Sequence, residues 1–543
     1  MEPGIIAGAM AWLLLLVLTP EFSNVAAAEG LAGPRAGRAV FLDLAGDGRL
    51  SVLLDRKNLF IRGKDGRYRP GRGLPVVPDL ALFADLDNDG DADCFTAWHA
   101  EPGNEKWVDH GLQNVVFLNE NGRWRAVPND FPRTAVHAAS VLDFDRDGIL
   151  DLFVGSGYVV YGSGLECAPD RLYRGLGGGK FQDVTKEVGL LTDSKPGAVG
   201  SSKPTYGVTH GDFDGDGWQD LWVCTYGRQW NHLWRSDAGK RFQNIAPATG
   251  FDGDAQRDGI YPPWLKKLWK ERRGSERANE PPFRSNGNTF DCAIADFDND
   301  GDMDCILAEI THEWAGPSSD RTSLLVNVGG KFERRAGAFA RERAAGGRWN
   351  QGDIHCGWLD YDNDGLLDAL IASSDYPDKQ ELKLYRQKPD HTFEAPRTFE
   401  WEGAGQISIG DYDRDGDLDI LVGRSLNRLP KERREKLGWS CGLFRNDVGN
   451  KNGWLQVVCR GKAANRDGIG CRIVVEQPGG STQTREIRGG LGHAGHNGPY
   501  EAHFGLGATP KAVKVTIHWP DPAGTKTVLD DVKPDQRLVV EQP

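Results

Sequence analysis

Three absences narrow the reading before any motif is considered. Basic residues are outnumbered, 65 Lys and Arg against 78 Asp and Glu, for a formal charge of −13 and a pI near 5.5. Phosphate backbones need a basic face, so nucleic acid is excluded as the main partner. Beyond residue 18 no stretch approaches the roughly 18 apolar residues of a membrane-spanning helix, so the mature chain has no transmembrane segment. Catalytic signatures are missing too: there is no G-x-S-x-G, no H-E-x-x-H and no P-loop. What remains is a chain of 543 residues with 39% hydrophobic content and 17 Trp, enough to bury large cores in several domains. Gly 70 and Pro 29 disfavour long helices and favour short elements joined by tight turns, so an all-β fold is expected.

Residues 5–18, IIAGAMAWLLLLVL, are too short for a comfortable span and are followed by Pro20 and Ala26-Ala27-Ala28. They read as a Sec signal peptide over residues 1–28, cleaved near Ala28, with an uncleaved anchor as the alternative. The n-region carries Glu2 and no Lys or Arg, so the amino terminus alone supplies its positive charge. The mature protein is therefore expected to be secreted, extracellular or periplasmic. Nine cysteines are an odd number, and export permits disulfides without requiring them. Cys459 and Cys471 lie symmetrically about Asn465, so a hairpin turning there would bring them together as a possible disulfide.

The phrase D-x-D-x-D-G-x-x-D occurs six times. Its acids are Asp85, Asp87, Asp89 and Asp93; Asp143, Asp145, Asp147 and Asp151; Asp212, Asp214, Asp216 and Asp220; Asp296, Asp298, Asp300 and Asp304; Asp360, Asp362, Asp364 and Asp368; and Asp411, Asp413, Asp415 and Asp419. A seventh, degenerate copy starts at Asp43, where Ala45 and Ser51 replace two carboxylates, so it should bind metal poorly. Each copy is followed by a short β-rich phrase such as DLFVG and then by a second of the NxLYRN type. A strand-rich unit repeated seven times predicts a seven-bladed β-propeller over residues 35–447, with its longest insertion at 248–290.

Alternate carboxylates at positions one, three and five of a tight loop converge on a point, the Gly at six makes the turn, and the Asp at nine closes the shell. Oxygen-only ligation suits Ca²⁺. Mg²⁺ fits less well, since it keeps its waters, and an EF-hand would need Glu at position twelve and flanking helices. Asp and Gly also make good turns without metal, but six copies with four matched acids each outweigh that reading. About six structural Ca²⁺ ions are expected. The loops hold 24 of the 78 acids; removing residues 1–28 deletes Glu2 and Glu21, so −13 becomes −11, and six divalent ions bring it to +1.

With these loops the chain resembles the FG-GAP/VCBS-repeat, integrin-alpha-like propellers, whose loops of this form hold Ca²⁺ between the first two strands of a blade. NGWLQVVCRGKAANRDGIGCRIVV, TREIRGG, EAHFGLG and VKVTIHWP resemble the ASPIC/UnbV domain that follows such repeats in the cartilage-acidic-protein-like family. The resemblance spans roughly residues 35–543, with residues 448–543 as the ASPIC/UnbV-like β domain, and it implies interaction or cell adhesion. One departure is the phrase GHAGHNGPYEAHFGLG, where the family carries Ser-Gln after its Gly-rich turn. Alternating runs such as LQVVCR and VKVTIHW independently make the C-terminal part a small β-sandwich or barrel. Its histidines, His493, His496, His503 and His518, have no clear zinc spacing.

If the acidic loops occupy one face, the remaining loops open on the other. These carry Trp98, His99, His137, Tyr206, His210, Trp230, His232, Glu309, His312, Trp314, Trp349, Asp353 and His355. Exposed Trp stacks on sugars or anchors a partner, although Trp and His also plug propeller channels. Within the insertion, Trp264, Leu265, Leu268 and Trp269 form one helical face, read as a helix packed on the rim. The leading reading is an exported, monomeric, calcium-stabilised binding module for a protein or glycan ligand, not an enzyme. The alternative is an exported polysaccharide lyase or hydrolase with His137, His210, Glu309, Asp353 or His355 as acid or base.

Overall fold

The computed structural model describes residues 21–33, 36–99, 113–158, 167–192, 202–312, 315, 319–335, 337–339, 351–374, 380–438, 440–493 and 497–543. Their regular structure is almost entirely β. Strands such as Val136–Leu142 and Asp151–Ser156 are buried at every position, whereas outer strands such as Phe332–Arg335 alternate. Burial on both faces requires a layer on each side, which neighbouring sheets supply.

Four-stranded antiparallel units follow one another; the fourth gains the strand Gly492–His493, and the fifth and sixth are joined edge to edge into one eight-stranded sheet. Their first strands are Ala39–Leu42, Leu80–Ala84, Val136–Leu142, Thr205–Gly211, Thr289–Ala295, Gln351–Leu359 and Ala404–Gly410. Each first strand packs on the next, and the seventh returns to the first, so the strands ring a central channel as in a β-propeller. Every acidic loop joins the first and second strands of a sheet, which puts all of them on one face.

The seventh sheet is closed by the far end of the chain. Phe22–Asn24 pairs antiparallel with Cys441–Asn446, and Ala26 and Leu31 enter the core beside it. The propeller therefore begins at Phe22, not at residue 35, and cleavage near Ala28 would remove its closing strand. Residues 1–20, including the apolar run, lie outside the described residues.

From Gly453 onward the chain forms a β-sandwich, a three-stranded sheet against a four-stranded one. Cys459 and Cys471 are buried free thiols, and the hairpin expected between them is absent. Gly453–Arg460 pairs with Ala502–Gly507 and Gln536–Glu541, while Arg472–Glu476 pairs with Thr482–Glu486 and Val513–His518. Cys459 thus lies in the three-stranded sheet and Cys471 directly before the first strand of the four-stranded one, and the two thiols meet across the core. In the insertion, Pro263–Arg273 is helical, but only Leu265 is buried; Trp264 is exposed, and Trp269 lies under Arg273 and Arg277.

Candidate metal loops and an open channel mouth

The six acidic loops share one turn. The position-six Gly holds φ between 84° and 103°, a region where a side chain would be strained. In five loops its N–H donates to the first Asp, at 2.8 Å for Asp85, 2.9 Å for Asp212 and 2.8 Å for Asp360, whereas both Asp296 oxygens are buried without a donor. The ninth Asp is a clamp: Asp93 accepts the N–H of Leu86 and of Asn119, each at 2.8 Å, joining the loop to the third strand. Asp151, Asp220, Asp304, Asp368 and Asp419 do the same.

The third Asp is different. Oδ1 of Asp87, Asp145, Asp298, Asp362 and Asp413 is buried without a hydrogen-bond donor. In the Asp85, Asp143, Asp212 and Asp360 loops, oxygens of positions one, three and nine lie within 4.8 Å of one another; in the Asp296 loop those of Asp296, Asp298 and Asp300 do. Burial, with added repulsion from Asp87, pushes the Asp93 carboxyl up to about 8; burial, with Asp298, pushes Asp304 up to about 9. Converging, undonated, buried carboxylate oxygens are a donor set that fits a hard divalent cation. In the Asp43 loop Arg49 instead pairs with Asp47, with Nε donating at 2.7 Å.

The loops are tied to each other. The side chain at position four donates to the position-six carbonyl of the next loop: Asn88 to Gly148, Arg146 to Gly217, Asn299 to Gly365, Asn363 to Gly416 and Arg414 to Gly48. The Asp212 loop has Gly215 at position four and cannot donate. Arg472 of the sandwich fills that place, donating to Gly301. The sandwich caps the whole loop face in this way: Asp467 accepts the Asp85 N–H at 2.8 Å, Gln456 donates to Asp411 at 2.8 Å, and Arg460 donates to the Gly46 carbonyl at 2.7 Å.

From the cap a strand enters the channel. Gly492–His493 pairs with the fourth sheet's first strand, after Gly489 has bridged to Val141. A Cβ on Gly492 would fall 1.3 Å from Asp291 Oδ1, so only glycine lets Asp291 accept the His493 N–H at 3.0 Å. His493 Nδ1 then donates to the Tyr206 carbonyl at 2.7 Å.

The opposite mouth is shaped by bulges. Register shifts near the start of five first strands fall at His137, Tyr206, Phe290, Ile354 and Gly405–Gln406. A bulge re-aims a side chain. Here it gathers rings: His99 to His137 at 3.7 Å, His137 to Tyr206 at 4.3 Å, Tyr206 to Phe290 at 4.8 Å and His355 to His493 at 5.3 Å between centroids. Burial pulls His99 down to about 4 and His355 to about 3, so both are neutral at pH 7. Beside them a cavity of about 530 Å³ is lined by Arg38, Arg56, Gln406, His355 and His493 among others.

Of the residues expected at a ligand face, His99, His137 and His355 come together at this mouth. Trp98 is buried beneath it, and Trp230 is half-buried, its carbonyl accepting from Lys203 Nζ at 3.1 Å. His312 lies near the fifth sheet's outer loop, its N–H donating to Ser319 at 2.7 Å. Three others are held in packing. Thr289 donates to Glu309 at 2.6 Å, Thr322 donates to Asp353 at 2.7 Å, and His210 accepts the Gly489 N–H at 2.9 Å under the inserted strand. Trp314 and Trp349 lie outside the described residues. Sequence reasoning missed Arg38, Arg56, Asp291 and Gln406, and set His493 aside. The unusual GHAGHNGPY phrase was the one signal that could have found His493.

Residues 461–543 match the family described as ASPIC and UnbV, and residues 82–154 and 360–422 match the FG-GAP-like repeat. Cartilage acidic protein 1 of Mus musculus is 28% identical over 240 residues, covering 42% of this chain and 33% of that protein. The Homo sapiens protein of the same name is 28% identical over 240 residues, covering 42% and 32%. The chain thus spans about a third of the length of these curated relatives. Among solved structures, BBS1N in complex with ARL6DN covers 76% of this chain and 93% of that chain at 10% identity and a TM-score of 0.40. The exotype rhamnogalacturonan lyase YesX covers 80% and 75% at 13% identity and a TM-score of 0.38.

Proposed function

We propose that this chain, FG-GAP-like repeats followed by an ASPIC/UnbV domain, is an exported calcium-stabilised binding module that takes a protein or glycan at the channel mouth opposite the acidic loops. The observation that carries the reading is the division of the two faces. One is sealed by the sandwich, and the other gathers bulge-directed imidazole and aromatic rings around a cavity. Rings in a concave site stack on sugars or anchor side chains. Calcium is the metal proposed for the six loops, because their donors are all oxygen and in five of them the Asp at position three offers an undonated buried oxygen. Glycan-array and pull-down experiments with and without Ca²⁺ test the reading. Saturable capture that weakens when Tyr206 is changed to Ala supports it, and no capture in either condition contradicts it.

A second reading, an exported enzyme acting on polysaccharide, is favoured by one contact, His355 Nδ1 3.5 Å from Asp291 Oδ2 at the cavity wall. A buried imidazole beside a carboxylate is a general acid–base arrangement. Release of new chain ends from acidic or neutral polysaccharides, lost in H355N, would favour it over simple binding.

A further inference from the structure

The cavity at the channel mouth has a chemical bias that the ring cluster alone does not explain. Arg38 and Arg56 stand side by side at the first sheet's edge. Arg38 is anchored, Nη1 donating to the Asp79 carbonyl at 2.8 Å. Arg56 is held more loosely: its Nη1 forms a long ion pair with Asp79 Oδ1 at 3.7 Å, and its buried Nε and Nη1 make no hydrogen bond. Asp55, the other acid nearby, already accepts the N–H groups of Gly37 and Arg38 at 2.7 and 3.0 Å. Arg56 also occupies a turn position with φ of 58°, next to Asp55 at 47°, where Asn or Gly is the easier residue. Burial, with the neighbouring Arg56, lowers Arg38 to about 9 against the opposing pull of Asp79 and of Asp55, which shares the cavity lining. The imidazoles facing it, His355 and His493, can exchange hydrogen bonds but add no negative charge.

We propose that this cavity is an oxyanion subsite, in which the Arg56 guanidinium, beside Arg38, takes a carboxylate or a tetrahedral oxyanion group of the ligand. Guanidinium presents a planar fork of N–H donors that matches two oxygens of such a group, and partial burial strengthens the pairing. Gln406 and Asn427 add amides to the lining. The inference rests on the reading that this mouth takes the ligand, and it narrows that ligand to one bearing an acidic group.

The test is calorimetric titration of the full, calcium-loaded chain with sodium glucuronate, with inorganic sulfate and with glucose. Saturable binding of glucuronate, sulfate or both, with none of glucose, is expected; glucuronate alone identifies a carboxylate source and sulfate alone a tetrahedral one. R56Q should bind at least tenfold more weakly, with R56K between it and the wild type. Because R56Q could disturb the turn, N427D is the second variant: it places a carboxylate at an exposed edge of the cavity and should also abolish binding. Failure of both anions to bind saturably at 10 mM, or equal affinity in the wild type and N427D, overturns the subsite. Capture of a macromolecular ligand by R56Q at wild-type affinity likewise overturns it, while leaving the broader reading standing.

Discussion

Asp87 and Asp304 carry the same side chain in equivalent loops, yet their positions set opposite roles. Asp87 Oδ1 is buried without a donor, and burial with the neighbouring Asp89 raises its pKa, so in the metal-free protein its charge is a cost. Asp87→Asn is therefore expected to leave the melting temperature in EGTA unchanged or higher, to lower it in Ca²⁺, and to remove one bound ion by native mass spectrometry. Asp304 holds the N–H groups of Phe297 and Asn327. Asp304→Ala leaves both unpaired at about 1–3 kcal/mol each, so it should destabilise the protein with or without calcium. The sequence made the four acids legible as candidate ligands but not this division of labour, because motif spacing does not say which oxygen already has a donor. His210 gives a pH test. Both ring nitrogens are used, Nδ1 with Gln219 Oε1 and Nε2 with the Gly489 N–H, and burial lowers its pKa to about 4. A depressed histidine contributes stability above its unfolded pKa of about 6.5 that is lost as pH falls through about 4. The melting-temperature gap between wild type and H210A should be largest at pH 7 and narrow toward pH 4; a gap constant over that range would contradict the assignment.

At the level of elements, the repeat was legible because its information is local. Loop, turn glycine and the following strands lie within a few dozen residues, and their order transferred directly to successive antiparallel units. The elements that join distant parts were not. Phe22–Asn24 looked like the tail of a leader, since three residues carry no period of their own, and only its pairing with Cys441–Asn446 gives it a role. Glu21 adds an ion pair with Arg397 and Ala26 a core contact. Protein recovered from an exporting host should therefore keep Phe22 at or near its N-terminus by peptide mapping. A chain starting at Glu29 should melt several degrees lower, and equal stability would contradict the closing role. The expected thiol hairpin failed for a related reason: symmetric spacing about a turn cannot distinguish two strands of one sheet from strands of two sheets facing across a core.

Across the whole molecule, the proposed binding face was legible only as a set of residue types. Trp98, Glu309 and Asp353 are polar or aromatic for packing reasons, while the cavity's arginines come from the first sheet, whose degenerate loop drew attention elsewhere. Charge also changes at this scale. Were a leader ending before Glu21 removed, only Glu2 would be lost, giving −12, which the six divalent ions proposed above would bring to zero. On that reading the acidity would be an internal matter between the loops and their cations. A ligand that binds only the folded state adds about 2.7 kcal/mol per site at a hundredfold excess over its Kd, and the sandwich docks on the same loops, so calcium should hold both parts together. Scanning calorimetry of the full chain in excess EGTA and then in excess Ca²⁺ tests this directly. The account predicts a melting temperature lower by at least about ten degrees in EGTA, restored by Ca²⁺ and not by Mg²⁺, whereas superimposable curves would contradict it.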